Sequence, residues 1–226
     1  MQTGSSNKFD RYDRRVSIGG LCWAFTCEAF VTQYIAQASA QGYNFVREDI
    51  SLLGVTVCGP LLDPMTHDTV TACSPYHVFL NAGFIVMGLA IAVGALLTRS
   101  CWPTWKGVTG LVLVTIAALG AVISGLSPMN VSLERHLFGA LLFFPLSSLG
   151  IVFLGLSIFS KKPVLAYFSL ICGLVGFFGF FLYGNFQVAG IPRGILERIA
   201  AYPSTIWFTI VGLTLWRNNS HAGSPS

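Results

Sequence analysis

The chain has 226 residues, of which 54% are hydrophobic and only 10% charged, with a net charge of +4. A soluble domain carries about 25% charged residues and needs polar groups to cover its surface, and a disordered chain is poor in apolar side chains. This composition excludes both, leaving a polytopic membrane protein, and the small positive excess needs no nucleic-acid partner. A helix crosses the hydrocarbon layer with about 20 mostly apolar residues, and six stretches meet that requirement: about 16–38, 77–98, 104–126, 136–159, 164–186 and 195–216.

Taken in chain order, residues 1–15 are a polar, basic tail. The first span, 16–38, is the most polar of the six. Basic residues precede it, but no small-residue cleavage site follows a short apolar core, so it does not read as a signal peptide. Glu28 sits midway along it, with Thr32 one helical turn on and Gln33 and Gln37 beyond. An ionisable group at a membrane helix centre costs about 2.5–3.5 kcal/mol on insertion scales and needs a reason. Two are open for Glu28: a proton, cation or amine site, or a neutral carboxyl bonded to a neighbouring helix.

A long loop, about 39–76, separates the first span from the second. The remaining spans follow on short connections, and 217–226 form a second polar tail. The fold class is therefore all-α: one transmembrane domain, 16–216, folded as a bundle of six helices with an ordered loop at one face. Of the 13 Lys and Arg residues, nine (Lys8, Arg11, Arg14, Arg15, Arg99, Lys106, Lys161, Lys162 and Arg217) fall on one side and four (Arg47, Arg135, Arg193 and Arg198) on the other. By the positive-inside rule both tails are cytoplasmic, in a multi-pass protein of the cell membrane, and the 39–76 loop faces outward with the turns near 127–135 and 187–194.

Cys58 and Cys73 are the only cysteines of the outer loop. An oxidising compartment joins such a pair, so a Cys58–Cys73 disulfide is expected to close the loop. No zinc-type spacing accompanies them, so no metal and no cofactor is expected.

Several polar residues fall at the outward ends of the spans. His77 and Asn81 share one face of the second, Arg135 and His136 open the fourth, and Glu197 and Arg198 open the sixth, with Tyr202 one turn below. Asp49 and Ser51 lie in the tethered loop. Histidines, arginines, carboxylates and a serine at one membrane depth suit either acid–base chemistry or, through the arginines, bidentate recognition of a phosphate or carboxylate headgroup; capping and snorkelling account for them equally. No complete catalytic motif is present, so the sequence does not decide whether the protein is an enzyme.

The stretch Gly42-Tyr43-Asn44-Phe45-Val46-Arg47-Glu48-Asp49-Ile50-Ser51-Leu52-Leu53-Gly54, then Cys58, then Cys73-Ser74-Pro75-Tyr76-His77-Val78-Phe79-Leu80-Asn81, carries a family likeness. With Glu197-Arg198 it resembles the six-span prokaryotic membrane proteins grouped as "domain of unknown function 998". The resemblance implies the six-span layout and no established activity. Leu52-Leu53 stands where that pattern has a more polar pair, which argues against a proton relay there.

The expected function is to bind or process a lipid-like amphiphile at the outward face, with membrane lipids and a small amphiphilic ligand as partners. The alternatives are a small transporter or channel using Glu28 at the midplane, or a non-catalytic accessory or sensor subunit.

Overall fold

The computed structural model describes residues 14–62, 69–185 and 190–221, with side chains to 218. Lys8, Arg11, Asp63, Asp68 and most of both polar tails lie outside the described residues. Seven α-helices run in chain order: α1 Arg14–Phe25, α2 Glu28–Ser39, α3 His77–Leu97, α4 Trp105–Leu126, α5 Leu133–Ile158, α6 Pro163–Gly184 and α7 Arg193–His221. Among the described residues five of them, α3 to α7, are long and apolar enough to cross a membrane. Within their apolar windows only 33–50% of the residues are buried. Mid-helix Leu89, Leu119, Leu141 and Ile171 are all more than half exposed, an outer belt that suits hydrocarbon rather than water.

The expected first span is two helices of 12 residues each, α1 and α2, rather than one. The break lies at Thr26-Cys27. There the backbone N–H groups of Thr26, Cys27, Ala29 and Phe30 bond three residues back instead of four, the tighter 3₁₀ pattern. The buried Thr26 hydroxyl donates to the Trp23 carbonyl at 2.7 Å, holding that tightened turn. Cys27 keeps right-handed helical dihedrals, so the chain tightens without reversing.

The helices form an antiparallel ring closed by α7 against α1. Small residues set how closely neighbours approach. A Cβ on Gly20 of α1 would lie 2.7 Å from the Gly212 carbonyl of α7, and one on Gly120 of α4 would lie 2.5 Å from the Gly139 carbonyl of α5. Such contacts let backbones meet where no hydrophobic effect drives helix association in lipid.

One end of the ring is filled with rings. Trp23, Trp102, Trp207 and Phe208 are buried together, with Trp23 5.6 Å from Trp207 and 5.5 Å from Phe208. Trp23 donates to the Ile91 carbonyl at 3.0 Å and Trp207 to the Ser169 hydroxyl at 2.7 Å, so both indole N–H groups are satisfied. Trp102 belongs to this core, whereas Trp105, three residues on, is exposed. The short 3₁₀ turn Arg99–Cys101 folds the chain back over the bundle end and carries the Trp102 indole inward.

The other end carries the long loop. Its core is a 3₁₀ turn, Ile50–Gly54, with Ile50, Leu52, Leu53 and Gly54 buried. A two-stranded antiparallel hairpin follows, β1 Gly59–Leu62 and β2 Thr69–Ala72, with Gly59 opposite Ala72. This hairpin is a small departure from an all-helical chain. The Cys58–Cys73 disulfide lies directly beyond the Gly59–Ala72 pair and closes the hairpin's base. Asn130, in the turn after α4, exchanges hydrogen bonds with Thr56 and braces the loop from the side.

Candidate functional site

The first turns of α7 hold the loop. Arg193, Gly194, Glu197 and Arg198 share one helix face by their three- and four-residue spacing, and they grip four successive loop residues. Arg193 donates through Nε to both Asp49 carboxylate oxygens at 2.9 Å, and its Nη2 closes the pair. The Tyr183 hydroxyl adds a third donor to Asp49 at 2.7 Å. Asp49 and Arg193 are 4% and 9% exposed, so each charge depends on the other for its lost solvation.

Glu197 accepts from the Ile50 backbone N–H with one oxygen and from the Ser51 hydroxyl, at 3.0 Å, with the other. Arg198 donates to the Glu48 carbonyl at 3.1 Å, to the Gly194 carbonyl at 2.7 Å and to the Tyr43 hydroxyl at 2.6 Å, and its guanidinium lies 3.8 Å over the Phe45 ring. Tyr43 passes its proton on to the Glu48 and Asp49 carbonyls. Burial pushes the Tyr43 phenol well above its ordinary pKa, against the opposing pull of Arg198, so it stays a donor. A Cβ on Gly194 would lie 2.4 Å from the Glu48 carbonyl, so only glycine admits the loop this close. From α3, Asn81 donates to the Gly54 carbonyl at 2.9 Å and fastens the far end of the 3₁₀ turn.

Below this roof lies a cavity. It offers about 60 Å³ to the centres of water-sized molecules and about 620 Å³ of atom-free space in all, mouth included. Ile50 and Ser51 cover it; Phe84, Met87, Phe143 and Phe144 give it apolar walls; Gln33, Ser124, His136, Glu197, Tyr202 and Thr205 supply polar atoms. His136 is buried, its Nδ1 facing the Ser127 and Ser124 carbonyls at 3.0 and 3.3 Å. Two carbonyl acceptors at Nδ1 require a proton there, which in the neutral imidazole leaves the lone pair on Nε2. Gln33 of α2 and Tyr202 of α7 exchange hydrogen bonds at 2.8 and 3.1 Å, and Phe30 packs edge-on to Tyr202 at 5.1 Å. These side chains bridge α2 and α7 above the level where α1 and α7 touch through Gly20 and Gly212.

Of the polar residues singled out in the sequence, Asp49, Ser51, Glu197 and Arg198 meet in one cluster, Asn81 reaches the same turn, and His136 faces the same cavity. His77 and Arg135 do not join them. The His77 ring turns back to the Ser74 carbonyl at 2.9 Å at the start of α3, and Arg135 is exposed. Arg193, Tyr43 and Tyr183 carry as much of the cluster as the residues foreseen. Arg193 was missed; the four-residue step from Arg193 to Glu197, opposite the Glu48-Asp49 pair that needs partners, is the signal that could have found it. Glu28 lies outside the cavity lining. Its Oε2 is 3.4 Å from the Thr32 hydroxyl and would be 3.2 Å from a Cβ on Gly83 of α3, so the carboxyl faces a neighbouring helix.

A family described as "Protein of unknown function (DUF998)" matches residues 26–214, from the α1–α2 turn almost to the end of α7. No curated protein and no solved structure matches the chain.

Proposed function

The chain belongs to the DUF998 family, and we propose that this protein crosses the cell membrane six times, with both termini in the cytoplasm, and binds a lipid-like amphiphile in the cavity under its outer loop. In this reading α1 and α2 act together as the sixth crossing. Residues 14–39 rise about 1.5 Å each, enough for a hydrocarbon layer of about 30 Å. Support for the orientation comes from Arg14, Arg15, Arg99, Lys106, Lys161, Lys162 and Arg217, all at the tryptophan end.

The observation that carries the binding reading is the cavity itself. It joins aromatic walls to a few converging polar atoms, the composition of sites that orient an amphiphile. Its narrow interior suits a headgroup and the first methylenes, with the rest of the chain leaving toward lipid. The channel alternative is less well supported, because the Trp23–Trp207–Phe208 cluster fills the bundle beyond the cavity. The test is photolabelling in lipid nanodiscs with a diazirine-bearing alkyl probe, mapped by peptide mass spectrometry. Labels are expected on peptides bearing Phe84 and Phe143-Phe144, and Ala201→Phe, which fills the cavity, removes them. Labels confined to outward residues such as Leu174 and Phe178 would sink the reading.

A further inference from the structure

The cavity's polar atoms identify the kind of headgroup it takes. We infer that the ligand presents hydrogen-bond donors, as a primary ammonium does, and is not a phosphate or a carboxylate. The inference rests on the amphiphile-binding reading and narrows it.

The argument is an inventory of donors and acceptors. Among the described residues no Lys or Arg lines the cavity. The two arginines nearest in sequence to Glu197 are turned to the loop: Arg193 to Asp49, and Arg198 to backbone carbonyls, Tyr43 and Phe45. Arg198 Nε is buried without a hydrogen-bond partner, but it belongs to a residue outside the lining. Arg135 is exposed. An anionic head in the cavity would therefore meet no cation, and burying a charge unpaired is among the costliest changes a site can make.

What faces the space is acceptor capacity. Ser51 gives its only hydroxyl proton to Glu197, leaving its oxygen lone pairs. Glu197 accepts two protons in all, and a carboxylate has about four lone-pair positions. His136 is held as the Nδ1–H tautomer by two carbonyls, so Nε2 is an acceptor. Ser124 spends its proton on the His136 carbonyl and Thr205 on the Ala201 carbonyl. One amide N–H of Gln33 is the donor left after its exchange with Tyr202. An ammonium group supplies three donors and a positive charge to such a set, and the apolar walls take the carbons next to it.

The experiment is competition against the same photoactivatable probe, on the full chain in neutral phosphatidylcholine nanodiscs. Three competitors share one tail: dodecylamine, dodecanol and dodecyl phosphate, each compared at equal mole fraction in the bilayer. Charge-assisted hydrogen bonds predict that dodecylamine displaces the probe at about tenfold lower mole fraction than dodecyl phosphate. Glu197→Gln is expected to shrink that preference to about threefold or less. Because Glu197 also holds the loop, Ser51→Ala serves as a second variant: it removes an acceptor without touching the Ile50 bond, and the preference for amine should fall there too. Dodecyl phosphate displacing the probe as well as dodecylamine overturns the inference and leaves the cavity reading standing. So does failure of all three to displace a probe that still labels the cavity. Absence of probe from the cavity overturns both readings.

Discussion

The two ends of the bundle solve opposite problems with the same helices. At the tryptophan end the space inside the ring is filled by Trp23, Trp102, Trp207 and Phe208, with the Trp23 and Trp207 indole N–H groups satisfied in place. At the loop end the ring holds a cavity, buried charges and a roof of 3₁₀ turn tied down from α7. Packing of the first kind is what stability alone selects. A set of buried ionic and polar groups beside open space costs stability unless each is paired. The buried Asp49–Arg193 pair and the cavity both lie at the loop end, where the proposed site is.

Four single substitutions, one double replacement and the loss of the disulfide would break or sharpen that contrast. Arg193→Ala is expected to have the largest effect, a loss of about 3–5 kcal/mol, because Asp49 would be left buried and unpaired; thermal unfolding in detergent measures it. Replacing Asp49 and Arg193 together by apolar residues of similar volume should recover most of that loss. If the double variant stays as unstable as the single, the pair is doing more than balancing charge.

Trp207→Ala is expected to cost a comparable amount, about 3–5 kcal/mol, but by a different route, the loss of packed volume. Probe labelling of the loop-end cavity should survive it at a temperature where the variant is folded. Lost labelling would mean that the two ends are one cooperative structure. Reducing Cys58–Cys73, or replacing both by Ser, should cost about 3 kcal/mol on the chain-entropy account of a loop this size. Hydrogen exchange should rise in residues 55–62 and 69–76 and not in α4 or α5.

Gln33→Leu removes the exchange of hydrogen bonds with Tyr202. Side-chain bonds within membrane bundles are worth about 0.6 kcal/mol on average, so stability should barely change while probe entry to the cavity quickens. Unchanged entry would show that the Gln33–Tyr202 bridge does not control access to the cavity. Glu28→Gln should be the mildest, within about 0.5 kcal/mol, since the carboxyl faces Gly83 and Thr32 and the amide can occupy the same space. A larger loss would return Glu28 to the centre of the question.

The spans α3 to α7, the place of the long loop and the Cys58–Cys73 bond could all be read from the sequence. Each depends on a quantity local in the chain: a run of apolar residues long enough for the bilayer, a count of cysteines in one loop. The same kind of reading treated 16–38 as one helix, because hydropathy cannot register a shift from four-residue to three-residue hydrogen bonding at Thr26-Cys27. Nor does it separate Trp102 from Trp105, because composition does not reveal the Arg99–Cys101 turn that carries one ring inward and leaves the other exposed. Glu197 and Arg198 were recognised by their depth at the end of a span, which helix rise alone sets, and Asp49 and Ser51 by their place in the tethered loop. Their partners were not, because that depends on the rotation of each helix about its axis. Glycine contacts between neighbours set that rotation. It turns His136 into the cavity and leaves Arg135, one residue away, exposed; it commits Arg193 and Arg198 to the loop and leaves the cavity lined with acceptors. Membrane depth is a one-dimensional property that a sequence carries. The facing of side chains around a ring of helices arises only when the ring closes, and here it decides the sign of the charge that the cavity can hold.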